Sequence, residues 1–517
     1  MTERAPIIVI GAGHNGLVCA TYLARAGRKV ILLEANAAVG GASSTHEFHP
    51  GFRVSTIAHL LHGFDPIVAR DLDLHRHGLR MAQDDLRTVA LHPTEKALVF
   101  ATNGNVTGPA PEIDQAAWRR FLAARERYST ALGRWHSQAP PRLLANGWRE
   151  VLPLAKLAWS VRRLGRRDMR ELLRVATMSV DDWLNEYFSS PRIKGALALD
   201  AVLGTRAGPR SGGTVFATLH RAAAGGRMAL PQGGMGSLAN ALAATARVAG
   251  VELRLNSRVA ALEVSAGRVT GVRLTTGETL IGSAIVSALD PRQTFLSLLG
   301  VKHLEAEFSR RVQHVRAIGT AARLHLALSS APDFQGVSAA DLGQRLVIAP
   351  DSDYVERAFN PVKYREHSLQ PVMEILLPSL LDQSLAPAGQ HVLSATVQYA
   401  PHDLNGGWAQ ARERFLELCL ATLEEYAPGL RARILHAELL TPADIERRIG
   451  TTGAHWHHGE LALDQYLMLR PVPGAAQYAT PVAGLYLCSA GTHPGGGVLG
   501  IAGRHASAAV LAGGDAP

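Results

Sequence analysis

The sequence predicts an α/β fold in which a Rossmann-like domain, assembled from separated stretches of chain, is interleaved with an α+β domain. Three observations carry this: a strand running into spaced glycines near the start, a helix-and-strand cluster from Leu230 to Phe295, and a glycine-rich strand-to-helix junction near the end. In the first, Ile7-Ile8-Val9-Ile10 leads into Gly11-Ala12-Gly13-His14-Asn15-Gly16 and a helix of small residues. Gly27, a second strand from Lys29 to Leu33 and the acid Glu34 come next. Glu34 lies 23 residues past Gly11, close to the separation a strand-turn-helix-strand unit requires. Gly11 permits the tight turn, Gly13 lets backbone approach a pyrophosphate, and Gly16 lets helix pack closely on strand. The helix N-terminus offers amide donors and a favourable dipole to phosphate, and Glu34 can accept hydrogen bonds from a ribose.

The segment just past Glu34 separates flavin from nicotinamide. Gly40-Gly41-Ala42-Ser43-Ser44 places two flexible residues and two hydroxyls beyond the second strand, where a ligand running on across the domain needs close backbone approach. This resembles the extended fingerprint of flavoproteins, in which paired glycines lie beside the pyrophosphate of FAD. The nearest later imitation of the glycine motif, Gly233-Gly234-Met235-Gly236, has the wrong spacing. The expectation is one FAD, held by Gly11, Gly13, Gly16, Glu34, Gly40, Gly41, Ala42 and Ser43, and no separate NAD(P) site.

The middle of the chain returns to the nucleotide domain. Pro231 to Ser237 precedes a helix with Ser237 as N-cap, an apolar face of Leu238, Ala241, Leu242, Thr245 and Val248, and Gly250 as its end. Strands are expected at Val251 to Leu255, Val259 to Val264, Val269 to Thr275 and Thr279 to Ala288, before Asp290-Pro291 closes the element. A last strand, Leu485 to Ser489, delivers Gly491-Thr492 and a triple glycine to a helix near Gly503 to Leu511. The nucleotide domain is thus assigned residues 1–75, 225–291 and 478–517, and the substrate domain 76–224 and 292–477. The first insertion reads as mostly helical, with amphipathic candidates at Trp118 to Leu132 and Met178 to Phe188. The second alternates in period two at Ala322 to Leu328 and His391 to Tyr399, a sheet able to floor a long pocket.

With 517 residues, 47% hydrophobic and 19% charged, the chain can bury large cores and is not disordered. Cys19, Cys419 and Cys488 form no CxxC pair, which points to a reducing compartment and leaves disulfide reduction without a local dithiol. The net charge of +9 comes without the aromatic interleaving of a nucleic-acid binder, so none is expected. Basic residues gather between Trp148 and Arg174: Arg149, Lys156, Arg162, Arg163, Arg166, Arg167, Arg170 and Arg174, beside Leu152, Leu154, Leu157 and Trp159. This composition suits either a helix lying on an anionic lipid surface or a solvated basic helix. Ala5 to Ala24 lacks formal charge over about the ~20 residues that span a bilayer, but its glycines, His14 and Asn15 interrupt it. The expectation is a cytoplasmic protein, soluble or peripheral to a membrane, with no signal peptide or transmembrane segment.

These segments together, with Gly484 to Val498 and with His458-Gly459-Glu460-Leu461 and the nearby Asp464-Gln465, resemble the phytoene desaturase and carotenoid oxidoreductase superfamily of flavoproteins. Within it they fit the branch of pyridine nucleotide-disulfide oxidoreductase domain-containing protein 2 and its bacterial relatives. The likeness covers most of the chain and is weakest from about Leu72 to Ala224. It implies an amine-oxidase-like flavoprotein fold, adenine met by the backbone of Val259, and the ribityl chain and pyrimidine edge met around Gly491, Thr492, Gly497 and Val498. For proton transfer, His457, His458 and Glu460 are the candidates, because imidazole and carboxylate can shuttle a proton as a C–H bond is oxidised. No carboxylate or cysteine cluster completes a metal site around these histidines, so no metal is expected. The leading expectation is FAD-dependent dehydrogenation of a hydrophobic, isoprenoid or carotenoid-like molecule. The alternatives are an amine-oxidase-like enzyme, with Trp456 and Tyr466 facing the flavin, and a flavin-carrying interaction protein with little turnover.

Overall fold

The computed structural model describes residues 5–101, 104–109, 112–141 and 148–513, with the side chains of 112–114, 148–151 and 153 also left aside. A five-stranded parallel sheet sits at one end, in the spatial order 252–254, 30–33, 7–10, 284–287, 485–487. Its three inner strands are buried, largely apolar runs because both faces are covered, while the edge strand 252–254 is Glu252-Leu253-Arg254. On one face lie the helices His14–Arg25, Gly236–Val248 and Ile501–Gly513, packed through Leu17, Val18, Leu242, Ala506 and neighbours. On the other lies an antiparallel sheet of Val259–Ser265, Arg268–Leu274 and Thr279–Ile281, packed through Leu262, Val272 and Leu274.

Several local expectations change here. The run Thr279 to Ala288 is two strands: Thr279–Ile281 joins the antiparallel layer and Ala284–Ser287 the parallel one, with Ser283 N–H donating to the carbonyl of Pro6 at the switch. Gly282 permits it, since a Cβ there would lie 3.1 Å from the Ile8 side chain. Ser237 is not an N-cap; its hydroxyl donates to the Gly234 carbonyl inside the first turn, and Met235 holds the cap position. Val248 is 77% exposed and lies off the buried face.

The second region is an eight-stranded sheet in the order 434–440, 321–328, 391–398, 372–376, 345–348, 88–90, 98–100, 106–107. Three of its strands therefore come from the insertion read as mostly helical; at two to three residues each they are too short to show a period. One face buries Leu324, Leu326, Leu393, Val397, Met373 and Ile375 against the helix Trp408–Tyr426. The opposite face carries Arg323, His325, Ser394, Thr396, Glu374 and Arg345, also buried. The period-two pattern thus marks two buried faces, one apolar and one polar. Toward the strands 345–348 and 88–90 this face is roofed by the helices Glu112–His136, Val180–Asn185, Pro191–Val202 and Thr214–Ala223, while the hairpin Thr45–His49 and Phe52–Ser55 covers His325 and Ala327. Met178 to Phe188 holds only the short helix Val180–Asn185. Among the described residues, no helix is long and apolar enough to cross a membrane.

Candidate active site

The first strand, the glycine turn and the helix His14–Arg25 form one wall of a cleft of about 1070 Å³. Gly11, Gly13, Gly16, Glu34, Gly40, Gly41, Ala42 and Val259 all line it. The backbone carries the turn: Gly11 has φ +95° and Gly40 φ +121°, conformations that side-chain-bearing residues rarely adopt. A Cβ on Gly16 would stand 2.0 Å from the Gly11 carbonyl oxygen, so this glycine is required by packing. A Cβ on Gly13 would meet nothing within 4 Å, so space is kept there that no protein atom fills. The Glu34 carboxylate accepts from Ala12 N–H at 2.8 Å and Asn36 N–H at 2.9 Å, which fixes it at the mouth of the cleft.

Nucleotide chemistry fits these residues. Nε2 of His14 and Oδ1 of Asn15, both on the cleft wall, are buried and have no hydrogen-bond partner among the described residues; Oγ of Ser43 is likewise unpartnered, but Ser43 is not among the residues lining the cleft. Such atoms are costly unless a ligand or water satisfies them. Burial, with His458 nearby, lowers the His14 pKa to about 3, so its ring is neutral. Arg258 and Arg448 supply positive charge along the same cleft.

His14, Ala42 and Trp456 also line a second chamber of about 950 Å³, so the two spaces adjoin. Its walls are apolar at Ile57, Leu60, Leu203, Leu461, Val498 and Leu499, and Gly496 and Gly497 bring backbone to it. Its polar end is built on the large sheet. Glu374 is 3% exposed; Oε2 accepts from Arg345 Nε at 2.5 Å and Oε1 lies 2.7 Å from His59 Nε2. Burial raises the Glu374 pKa, but Arg345 and His59 outweigh it and hold the carboxylate well below its ordinary value. Burial lowers His59 to about 4, with Arg323 acting the same way. A neutral His59 donating from Nε2 to Glu374 leaves Nδ1 as a free lone pair, and Nδ1 has no partner among the described residues.

The other expected site residues are dispersed. His457 lines the chamber, its Nδ1 accepting from Gly497 N–H at 3.0 Å, and burial holds it neutral. His458 lines the nucleotide cleft instead, at φ +56°. Glu460 faces neither space: its carboxylate is bound to Arg316 at 2.7 Å, a pairing that ties down the loop and removes it from proton transfer. Gly491 and Thr492 also sit behind the cavity wall. The Thr492 hydroxyl donates to the Ser489 carbonyl at 2.7 Å, and a Cβ on Gly491 would meet Pro291 at 2.6 Å. Of the two aromatic candidates, Trp456 lines both spaces while Tyr466 is buried among Phe216, His220 and His493. His493 tethers the Trp135 carbonyl. Cys19 and Cys488 are neighbours, buried in the core beneath the glycine turn, where burial raises the Cys488 thiol pKa. They pack as small core residues.

His59, His62, Arg221 and Glu374 are not singled out by the sequence pattern. Glu374 interrupts an otherwise apolar strand, Val372–Leu376, and that lone acid is the one signal the sequence offers.

Residues 16–511 match the family described as flavin containing amine oxidoreductase, and the chain belongs to it. It is a flavin-dependent oxidoreductase of mixed α/β architecture. Rat pyridine nucleotide-disulfide oxidoreductase domain-containing protein 2 is 33% identical over 97% of this chain and 92% of its own length. The lycopene-forming phytoene desaturase of Pantoea ananas is 25% identical over 98% of both. An oxidoreductase from Methanosarcina mazei shares the fold at a TM-score of 0.61 and 17% identity, covering 98% of this chain and 100% of that one.

Proposed function

We propose that the flavin is FAD and that the enzyme dehydrogenates a hydrophobic molecule held in the chamber beside the cleft. The observation that carries this is the apolar chamber adjoining the glycine-rich cleft through His14, Ala42 and Trp456. Bound FAD supplies a two-electron acceptor for a hydride. The chain's own part is to fix the dinucleotide through Glu34 and the glycine turn, to exclude water with Ile57, Leu60 and Leu499, and to take the accompanying proton. His59 suits that last task, since Glu374 orients the ring and leaves Nδ1 free. The similarity to a phytoene desaturase supports a greasy substrate. The withdrawal of Tyr466 from the chamber weighs against an amine oxidase. Photoreduction and then stopped-flow mixing with oxygen, quinones, isoprenoids and amines tests this reading. Flavin reduction by an apolar substrate is expected; reduction by amines alone refutes it, and reduction by nothing favours a non-catalytic flavin carrier.

A second reading concerns the surface. We infer that the helices Trp148–Arg162 and Gly165–Val175 rest on an anionic lipid surface. Leu152, Trp159 and Leu173 are exposed there beside Lys156, Arg162, Arg163, Arg166 and Arg170. Leu152, Lys156 and Trp159 fall on one helical face, and Arg163 follows just past the helix end. The side chains of Trp148 and Arg149 lie outside the described residues. Flotation with anionic vesicles at low salt is expected to lift the protein, and its failure to float refutes this reading.

A further inference from the structure

The chamber branches at His62 and Arg221 into a further cavity of about 920 Å³, which runs on past Met228, Leu197 and Leu122 to Phe100 and Trp118. We propose that this branch is a subsite for the anionic head group, carboxylate or phosphate, of a substrate whose apolar body lies toward the glycine-rich cleft. The proposal rests on the oxidoreductase reading and narrows its substrate class to hydrophobic acids.

Positive charge is in surplus along the walls of this branch. Arg125, Arg221 and Arg345 line the branch, with Asp200 as its carboxylate. Arg345 is already neutralised, holding Asp200 Oδ1 and Glu374 Oε2 at 2.5 Å each and Thr88 Oγ1 at 3.0 Å. Arg221 sits at the junction and donates to the backbone carbonyls of Asp200, at 2.7 Å, and Leu203. Carbonyls orient a guanidinium without cancelling its charge. Among the described residues neither Arg221 nor Arg125 has an ion-pair partner, although Asp200 acts on both through space. In the walls three guanidiniums therefore face two carboxylates, Glu126 acting on Arg125 only from the exposed side of its helix, and His59 and His62 are neutral.

Arg323 adds a further positive charge on the same sheet face; among the described residues it donates to the hydroxyls of Thr396 and Ser394 and has no ion-pair partner, with Glu374 acting on it through space. Burial lowers the pKa values of Arg221 and Arg125, a sign that their desolvation is not fully compensated. An anion would compensate it; an ammonium would add to the surplus. A second feature points the same way. The hydroxyl of Thr218, a residue only 8% exposed, lines the branch without a hydrogen-bond partner among the described residues and can donate to an incoming oxygen.

Calorimetric titration of the FAD-loaded protein with dodecanoate, dodecyl phosphate, dodecanol and dodecylamine, all below their aggregation limits, tests this. One of the two anions is expected to bind about tenfold or more tightly than dodecanol, the value of a charge-assisted hydrogen bond, with dodecylamine weaker still. The tighter anion tells carboxylate from phosphate. Arg125→Gln, which removes no hydrogen bond seen among the described residues, is expected to weaken the anion about tenfold and leave dodecanol unchanged. Arg221→Lys keeps the charge but loses the fork that holds two carbonyls, and is expected to weaken the anion less than Arg125→Gln. Equal affinity for the alcohol or the amine, no binding of any of the four, or an Arg125→Gln variant that binds the anion normally overturns the proposal. Flavin content separates this from the broader reading: protein that retains FAD but shows no anion preference sinks the subsite alone, whereas protein unable to hold FAD sinks the oxidoreductase reading.

Discussion

Replacing Glu374 by glutamine removes the charge at the centre of the buried polar face. The carboxylate contacts Arg345 at 2.5 Å and His59 at 2.7 Å. Breaking one side of a buried ion pair costs about 3–5 kcal/mol, because the partner charge is left without compensation. Here Arg345 keeps Asp200, so the expected cost is at the low end, about 3 kcal/mol. Unfolding entropy of about 2.1 cal/mol/K per residue gives roughly 1.1 kcal/mol/K for a chain of 517 residues, so Tm is expected to fall by about 3 °C. Differential scanning calorimetry on FAD-loaded protein reads this. Glu307→Gln is the control: its carboxylate pairs with Arg310 and Arg311 on the surface, and Tm should stay put. If Glu374→Gln and Glu307→Gln melt alike, the charge on Glu374 does not hold the sheet face together and the reasoning fails.

The same geometry sets other outcomes. Gly13→Ala is expected to fold with normal Tm but to hold little FAD, since its Cβ enters open cleft, whereas Gly16→Ala clashes with the Gly11 carbonyl and loses about 1–3 kcal/mol of stability. FAD-to-protein ratio and Tm, measured on both, check this; a Gly13→Ala protein with full flavin contradicts it. Lowering the pH from 6.5 toward 4 is expected to destabilise the fold. His59, His62 and His220 have pKa values near 4 when folded and 6.5 when unfolded, so in that window the unfolded chain takes up protons that the folded one refuses. Each ring contributes about 1.4 kcal/mol per pH unit, and a Tm that is flat between pH 6.5 and 5 would count against buried neutral rings. His59→Gln is expected to slow flavin reduction by substrate about 100-fold or more while leaving FAD content intact; an unchanged reduction rate removes His59 as proton acceptor.

The nucleotide half was legible because its signals are local. Turn glycines, an amide-rich helix start and Glu34 lie within a few dozen residues, and each is constrained by its immediate neighbours. The substrate half was not, because its polar wall is built from strands at 321–328, 345–348, 372–376 and 391–398 and the helix Thr214–Ala223, which meet only in the folded sheet. Arg323 and His325 sit on an alternating strand whose second face is buried by distant chain, with His46 and Phe48 of the hairpin at 45–55 packed against His325. Glu460 misled for the opposite reason: it sits beside a histidine cluster in sequence, yet Arg316, 144 residues earlier, claims its carboxylate. Cys19 and Cys488 likewise look unrelated along the chain and are neighbours in the core.

The visible absorption spectrum of the purified protein, before and after incubation with FAD, tests the central claim most directly. One FAD per chain, retained through gel filtration and released on acid denaturation, is the expected result. A folded, colourless protein that takes up no added FAD would contradict it.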